Sequence, residues 1–169
     1  IGCQPKKQKV AYTVYPVQFL LEEIGQDRVE TYAFSNGKNV LRSQLVEDYV
    51  DVIKNVDTIF TIGGLEPYLD IINQDIVDYS PEIIDLGSKG AVIPFSRHTS
   101  AMLDQVEVEV ETQYYENPLF ENVDTYTNDP YLWLDPMMMT SMANEILAYF
   151  ISNDPDNTDY YQKNFEELK

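Results

Sequence analysis

The residues best suited to chemistry lie in one short segment, residues 128–136, which is rich in aromatic and acidic side chains and holds the only tryptophan, Trp133. Proline disfavours helix in the residue before it and is favoured at the first helical position, so Asp135 and Pro136 are predicted to be the N-cap and first residue of a helix. Two interpretations stay open. The segment is either a structural loop, with Trp133 buried and Asp135 capping, or a ligand-facing loop beside a cleft.

Residues for covalent or acid-base catalysis are scarce. The chain has one histidine, His98, in a predicted loop, and one cysteine, Cys3. A Ser-His-Asp or Cys-His arrangement would therefore need distant residues to converge, and no phosphate-binding glycine signature is present. Neighbouring carboxylates carry little information in a chain with 29 acidic residues. We expect a binding protein and not an enzyme.

Charge excludes other classes of partner. The 29 acidic residues outnumber the 11 basic ones and give a net charge of -18, which repels nucleic acid phosphates and anionic lipid head groups. No apolar run approaches the roughly 20 residues that a membrane span needs. With 169 residues and 44% hydrophobic content, the chain is long enough for one compact domain. We expect a monomer that does not bind nucleic acid.

Cys3 lies in a setting typical of a lipoprotein. It follows Ile1-Gly2 and precedes a polar, basic stretch, residues 4–9. A small residue before such a cysteine resembles the end of a bacterial lipoprotein signal. One interpretation is that Cys3 is lipidated, residues 1–9 form a flexible tether, and the domain lies outside the cytoplasmic membrane. The alternative is a free cysteine in a disordered tail.

Strands and helices alternate along the first half of the chain. Composition and polar-apolar alternation predict strands at 10–15, 28–34, 57–62 and 83–86. Apolar residues at helical spacing predict a helix that ends at a Gly25 cap, and helices at 41–56 and 65–76, with a turn at 35–39. This order predicts an α/β fold, with a mostly parallel sheet flanked by helices on both faces.

The second half is less regular. Residues 87–128 are too long for a plain connection and are expected to contain structure, including a half-exposed strand or hairpin arm at 106–111, where Val and Glu alternate. Helices are predicted at 137–151 and 158–169. Methionines 137, 138, 139 and 142 are expected to fill the core and not to bind soft metals, because helical spacing separates their sulfurs.

A series of short motifs occurs in a fixed order along the chain: Tyr15-Pro16, Gly37, residues 57–60, residues 64–67, residues 129–136, Asp154-Pro155 and residues 160–164. In order and spacing they resemble the solute-binding lipoproteins of zinc and manganese ABC importers, over residues 10–169. Such proteins have two lobes joined by a long helix and hold the metal in the cleft between them. The resemblance implies a first lobe at 10–152, the start of the connecting helix at 153–169, and one lobe of a two-lobed periplasmic-binding-protein-like fold.

The chain departs from this family where metal ligands are expected. Tyr131 and Leu41 occupy the places of family histidines, and the remaining ligands would come from a second lobe. Zinc sites draw on His, Cys and carboxylate side chains, so neutral tyrosine and leucine are poor replacements. The resemblance implies zinc or manganese as the solute, and a membrane permease as partner. The departures predict a degenerate or altered metal site and no confident cofactor.

The cleft is one hypothesis for what such a site binds. Tyr131 and Trp133 are predicted to stack a flat or sugar-like ligand. The polar candidates for the same cleft are Asn36, Asn39, Arg42, Glu66 and Asp129. The alternative is an extracytoplasmic, lipid-anchored surface module, in which an acidic, Tyr-rich loop at 107–126 contacts another protein and nothing is transported.

Overall fold

The computed structural model describes residues 7–36, 43–63, 65–66, 68–89, 98–111 and 131–169. The strands, in chain order, are β1 (Gln8–Tyr12), β2 (Val29–Ala33), β3 (Ser35–Asn36), β4 (Gln44–Leu45), β5 (Thr58–Thr61), β6 (Glu82–Asp85), β7 (His98–Leu103) and β8 (Val106–Glu111). The helices are α1 (Tyr15–Gly25), α2 (Tyr49–Asn55), α3 (Tyr68–Ile71), α4 (Asn73–Tyr79), α5 (Pro136–Asn153) and α6 (Thr158–Leu168).

A parallel sheet forms the centre of the molecule. Its four strands lie in the order β2-β1-β5-β6, and every neighbouring pair is parallel. Side chains alternate between its faces, as strand geometry requires. Val10 and Phe60 belong to one buried cluster, whereas their neighbours Ala11 and Ile59 belong to the other. Both faces are therefore covered, which is the arrangement that parallel sheets need.

Helices α1, α5 and α6 pack together on the first face. Phe150 of α5 stacks on Tyr161 of α6, with ring centroids 5.0 Å apart and planes 12° from parallel. The second face is covered by α2, α3 and α4, which contribute Val52, Ile53 and Tyr68 to the other cluster. The predicted fold class, a mostly parallel sheet flanked by helices, is confirmed.

The start of α5 forms as predicted. The helix begins at Pro136, and the backbone N–H of Met137 donates to Asp135 Oδ1 over 2.8 Å. Met138 and Met142 lie in the core as expected, but Met137 is exposed and Met139 only partly buried. The prediction that all four methionines fill the core is wrong for Met137, because α5 turns its first residue towards solvent.

Two predicted helices are shorter than expected. Helix α2 covers only Tyr49–Asn55, and Gln44–Leu45 is instead a strand paired antiparallel with Ser35–Asn36. Leu45 and Val46 have helical spacing, yet they pack on the core cluster from an extended chain, and the Val46 N–H donates to the Phe34 carbonyl. The helix predicted at 65–76 is divided into α3 and α4, and α4 continues to Tyr79.

Gly25 does not act as the predicted cap. It is the last residue of α1, and Gln26 takes the left-handed conformation with φ of 43°. Gly25 is required for close packing, since a Cβ there would lie 2.7 Å from Cγ1 of Val29 and 2.9 Å from the Phe150 ring.

The predicted strand at 106–111 is β8, and it forms a hairpin with β7. The turn residues Asp104 and Gln105 both have positive φ, as a tight two-residue hairpin turn requires. His98 was expected in a loop, but it is the first residue of β7, where its backbone pairs with Glu111. None of the described helices is both long and apolar enough to cross a bilayer.

Candidate functional site

The sheet has a topological switch point between β1 and β5. From β1 the chain crosses through α1 to β2 on one side, and β5 lies on the other side. In open parallel sheets, ligands bind outside the carboxyl ends of the strands at such a point, because the connecting loops diverge there and leave a crevice. The loops that follow β1 and β5 therefore define the candidate site.

Glu66 joins these two loops. Its Oε1 accepts hydrogen bonds from Thr13 Oγ1, which follows β1, over 2.6 Å and from the backbone N–H of Ile62, which follows β5, over 2.7 Å. The residue is only 5% exposed. Its other oxygen, Oε2, is buried and has no hydrogen-bond partner in the part of the chain that the structure describes. One carboxylate oxygen thus holds the site together while the other stays available.

Burial raises the pKa of the Glu66 carboxyl above its ordinary value of 4.5. The hydrogen bonds from Thr13 and Ile62 act in the opposite direction, because they stabilise the charged form, and the negative charge of Asp85 raises the pKa further. Glu66 therefore has two accessible forms. The protonated form can donate from Oε2, and the charged form can accept a cation.

Asp85 brings a second carboxylate to the same edge, at the end of β6. Its Oδ1 accepts from the backbone N–H groups of Gly87, at 2.9 Å, and Ser88, at 3.3 Å. A Cβ atom at Gly63 would overlap the Asp85 carboxylate. Gly63 is needed here because the loop after β5 passes directly against Asp85.

Hydroxyl groups complete the floor of the site. Ser35 Oγ donates to the backbone carbonyl of Thr13 over 2.5 Å, which connects the end of β2 to the end of β1. Burial raises the pKa of the Tyr68 hydroxyl to about 12, and the nearby hydroxyls of Ser35 and Ser43 act in the opposite direction. The site residues Thr13, Ser35 and Asp85 were missed from sequence, and their position directly after a predicted strand was the available signal.

The segment singled out from sequence forms a short 3₁₀ turn, Leu132–Leu134, in front of α5. Leu132 is buried and Trp133 is half-buried against the core, so this part anchors the loop. Tyr131 is 44% exposed and meets Trp133 edge to face, with ring centroids 5.7 Å apart and an interplanar angle of 72°. The structural interpretation describes Trp133, whereas Tyr131 presents a ring at the surface.

The predicted cleft residues are only partly described. Glu66 lies at the switch point, and Asn36 is exposed in β3. Leu65 and Leu132, the neighbours of Glu66 and Tyr131, belong to the same buried cluster, so both loops are anchored in one core. Asn39, Leu41, Arg42, Asp129 and Cys3 lie outside the described residues.

Metal ligands were also sought at this edge. Among residues 7–36, 43–63, 65–66, 68–89, 98–111 and 131–169, no three His, Cys, Asp or Glu side chains come together as a metal-binding group. Glu66 and Asp85 are described carboxylates at the carboxyl edge of the sheet.

The fold and the position of the site define the class of protein: one lobe of a two-lobed, periplasmic-binding-protein-like receptor. A crystal structure of ZnuA matches with a TM-score of 0.68 at 20% identity, over 96% of this chain and 55% of that one. The metal-dependent lipoprotein YcdH of Bacillus subtilis matches with 0.66 at 16% identity, over 96% and 50%. Zn(II)-bound AdcA of Streptococcus pneumoniae matches with 0.64 at 14% identity, over 96% and 30%.

The family itself is shown by sequence. A family model described as zinc-uptake complex component A, periplasmic, matches residues 10–169, and the chain belongs to this family. A 43-residue stretch is 37% identical to the high-affinity zinc uptake system protein ZnuA of Bacillus subtilis strain 168, which is 25% of this chain and 14% of that protein. The chain spans about half the length of the ZnuA and YcdH structures.

Proposed function

We propose that this chain is the first lobe of the extracytoplasmic solute-binding component of a metal-type ABC importer, and that its metal site is altered. The family match over residues 10–169 and the polar site at the switch point support a binding role without catalysis. In this proposal the receptor is a monomer, residues 153–169 begin the connection to a second lobe, and a lipid on Cys3 holds the tethered receptor at the cell membrane, where it meets the permease.

The observation that carries the altered site is Tyr131. It occupies the place of a family histidine, lies partly exposed in front of α5, and contacts Trp133 through its ring. A neutral phenol is a much weaker zinc ligand than imidazole. The first lobe then offers carboxylates, such as Glu66 and Asp129, and two aromatic rings where the family offers imidazole nitrogens.

The expected consequence is a change in solute affinity. Zinc and manganese bind weakly, and a flat or sugar-like solute stacks on Tyr131 and Trp133. Side chains of Asn36, Asn39 and Arg42 supply hydrogen bonds to that solute.

Metal content and calorimetry with zinc and manganese, on the longest natural form with both lobes, test this proposal. Tyr131→His restores one imidazole and is expected to tighten zinc binding at least about tenfold, the scale on which ligand-shell changes act. Tyr79→His is the matched control, because Tyr79 is 45% exposed and lies on α4, at the other end of the sheet. Tight zinc binding by the unaltered receptor, or equal effects of both substitutions, would contradict the altered site.

The surface-module alternative is favoured by one observation, the tip of the β7–β8 hairpin. Met102, Leu103 and Val106 are all exposed there, and Glu107 follows on the same arm. An exposed apolar tip beside acidic side chains suits a protein partner with a basic rim around an apolar patch. The aromatic part of the predicted contact loop, 112–126, lies outside the described residues.

Site-specific photocrosslinking on cells tests this second candidate. A crosslinker at Leu103 is expected to yield one discrete, salt-sensitive adduct, whereas the same group at Val77, which is also 61% exposed, is expected to yield none. Equal crosslinking from both positions would remove the candidate.

A further inference from the structure

A polar pocket of about 540 Å³ lies at the amino end of the sheet, away from the switch point. Lys7 and Gln8 at the start of β1, Arg28 before β2 and Asp57 before β5 line it, together with Asp154 and Asn157 from the connection between α5 and α6. A strand of five residues is roughly 16 Å long, so this pocket is separated from the carboxyl-edge site by the length of the sheet.

Two lining residues carry buried polar atoms that lack partners. Gln8 Oε1, an acceptor, and Arg28 Nε, a donor, have no hydrogen-bond partner in the described part of the chain. Both side chains are held in place by other contacts. Gln8 Nε2 donates to the Tyr161 hydroxyl over 3.3 Å, and the Arg28 Cζ lies 4.9 Å from the centroid of the Tyr160 ring. Buried polar atoms without partners are rare, so a donor and an acceptor lining one pocket indicate an occupant.

The basic residues of the pocket lack acidic partners as well. The ion pairs among the described residues are Lys163–Glu167 and Lys169–Glu166, and both are exposed on α6. Lys7 and Arg28 are thus without a carboxylate within ion-pair distance in that part of the chain. Unpaired cations are unexpected in a chain with net charge -18.

The two acidic residues of the pocket differ in how they are used. Asp154 is satisfied internally, because Asn157 Nδ2 donates to both of its oxygens over 2.8 and 2.9 Å, and the Tyr161 hydroxyl donates to Oδ2 over 2.7 Å. Asp57 is exposed at the rim. The pocket therefore offers two cations for a negative group, and one carboxylate with one amide oxygen for a positive group.

We propose that this pocket binds a small zwitterion of the α-amino acid class. The carboxylate of the solute pairs with Arg28 and Lys7, since guanidinium and ammonium groups form charge-assisted hydrogen bonds to oxyanions. The ammonium group of the solute lies towards Gln8 Oε1 and Asp57. A simple anion fits less well, because it leaves Gln8 Oε1 unpaired and adds a negative charge beside Asp57 and Asp154.

NMR titration of the ¹⁵N-labelled chain tests this proposal with three probes: L-alanine, acetate and methylammonium. Acetate and methylammonium each carry one half of the zwitterion. L-alanine is expected to bind at least about tenfold more tightly than either half, and to shift the signals of Gln8 and Asn157, because it forms both sets of charged contacts.

Two substitutions separate the halves of the solute. Arg28→Gln is expected to weaken L-alanine and acetate by at least about tenfold, while Asp57→Asn weakens L-alanine and leaves acetate unchanged. Lys54→Gln is the matched control for loss of a cation-π contact, since Lys54 Nζ lies 5.2 Å from the centroid of the Tyr79 ring, outside the pocket. Thermal unfolding of each variant checks that it is folded.

Several outcomes would overturn the proposal. The absence of saturable shifts with all three probes would leave water as the occupant. Binding that is unchanged in Arg28→Gln would place the probe elsewhere. Equal affinity for acetate and L-alanine, with no effect of Asp57→Asn, would reject a zwitterion. The altered metal site is tested at Tyr131 and stands or falls separately.

Discussion

At the scale of single residues, Glu66 is the side chain on which the candidate site depends. It bonds to the loops after β1 and β5 through one oxygen and keeps the other oxygen buried. Because the charged form is poorly solvated there, the pKa of Glu66 is raised above 4.5. The folded protein therefore holds this proton to a higher pH than the unfolded chain does.

The sign of the pH dependence follows from linkage. A carboxyl group with a raised pKa in the folded state stabilises that state at low pH, and this contribution is lost as the pH rises from 4.5 through the folded pKa. Glu66→Gln mimics the protonated form, so its free energy of unfolding relative to the wild type is expected to increase over this window. Urea unfolding at a series of pH values measures the difference.

Exposed Glu23 provides the control, as Glu23→Gln is expected to show no such trend. Glu66→Ala is expected to lose about 1–3 kcal/mol at all pH values, because the Ile62 N–H and the Thr13 hydroxyl lose their acceptor. A flat difference between wild type and Glu66→Gln from pH 4.5 upward would contradict the raised pKa.

At the scale of secondary structure, the cap of α5 positions the aromatic loop. Asp135 accepts from the Met137 N–H, and the 3₁₀ turn that carries Trp133 ends directly before it. Loss of this cap releases both the first turn of α5 and the loop that presents Tyr131.

Asp135→Ala is expected to lower the free energy of unfolding by about 1 kcal/mol, the usual cost of removing an N-cap. Asp135→Asn keeps an oxygen that can accept the same bond, so it is expected to remain within a few tenths of a kcal/mol of the wild type. Chemical denaturation measures both. Equal losses for alanine and asparagine would show that the charge of Asp135, and not its capping bond, is what stabilises the loop.

The elements differ in how far sequence predicts them. Strands β1, β2, β5 and β6 and the start of α5 were predictable, because alternation and an Asp-Pro pair are local signals. Strands β3 and β4 were not, since two-residue strands carry no period and Leu45-Val46 has helical spacing. In the site, Glu66 was found from its motif, whereas Thr13 and Asp85 are ordinary residues until the sheet order places them together.

At the scale of the whole molecule, the charge of -18 is the dominant property. Self-repulsion of this size destabilises the compact state, and few basic residues offset it. Added salt screens repulsion between exposed charges over roughly 10 Å at 0.1 M.

The midpoint of thermal unfolding is therefore expected to rise by several degrees between low ionic strength and about 0.5 M sodium chloride, through screening alone. Differential scanning calorimetry measures the shift. An uncharged osmolyte at equal osmolality provides a control for surface exclusion. A midpoint that falls with added salt would show that attractive charge pairs outweigh repulsion.

The chain of bonds at the switch point has one more consequence. Ser35 donates to the carbonyl of Thr13, Thr13 donates to Glu66, and the Ile62 amide donates to the same carboxylate. Anything that draws the Glu66 carboxylate towards itself therefore lengthens or shortens the bond to the Ile62 amide. Hydrogen exchange at that single amide is a built-in indicator of whether the crevice is filled, readable without a label and without knowing what fills it.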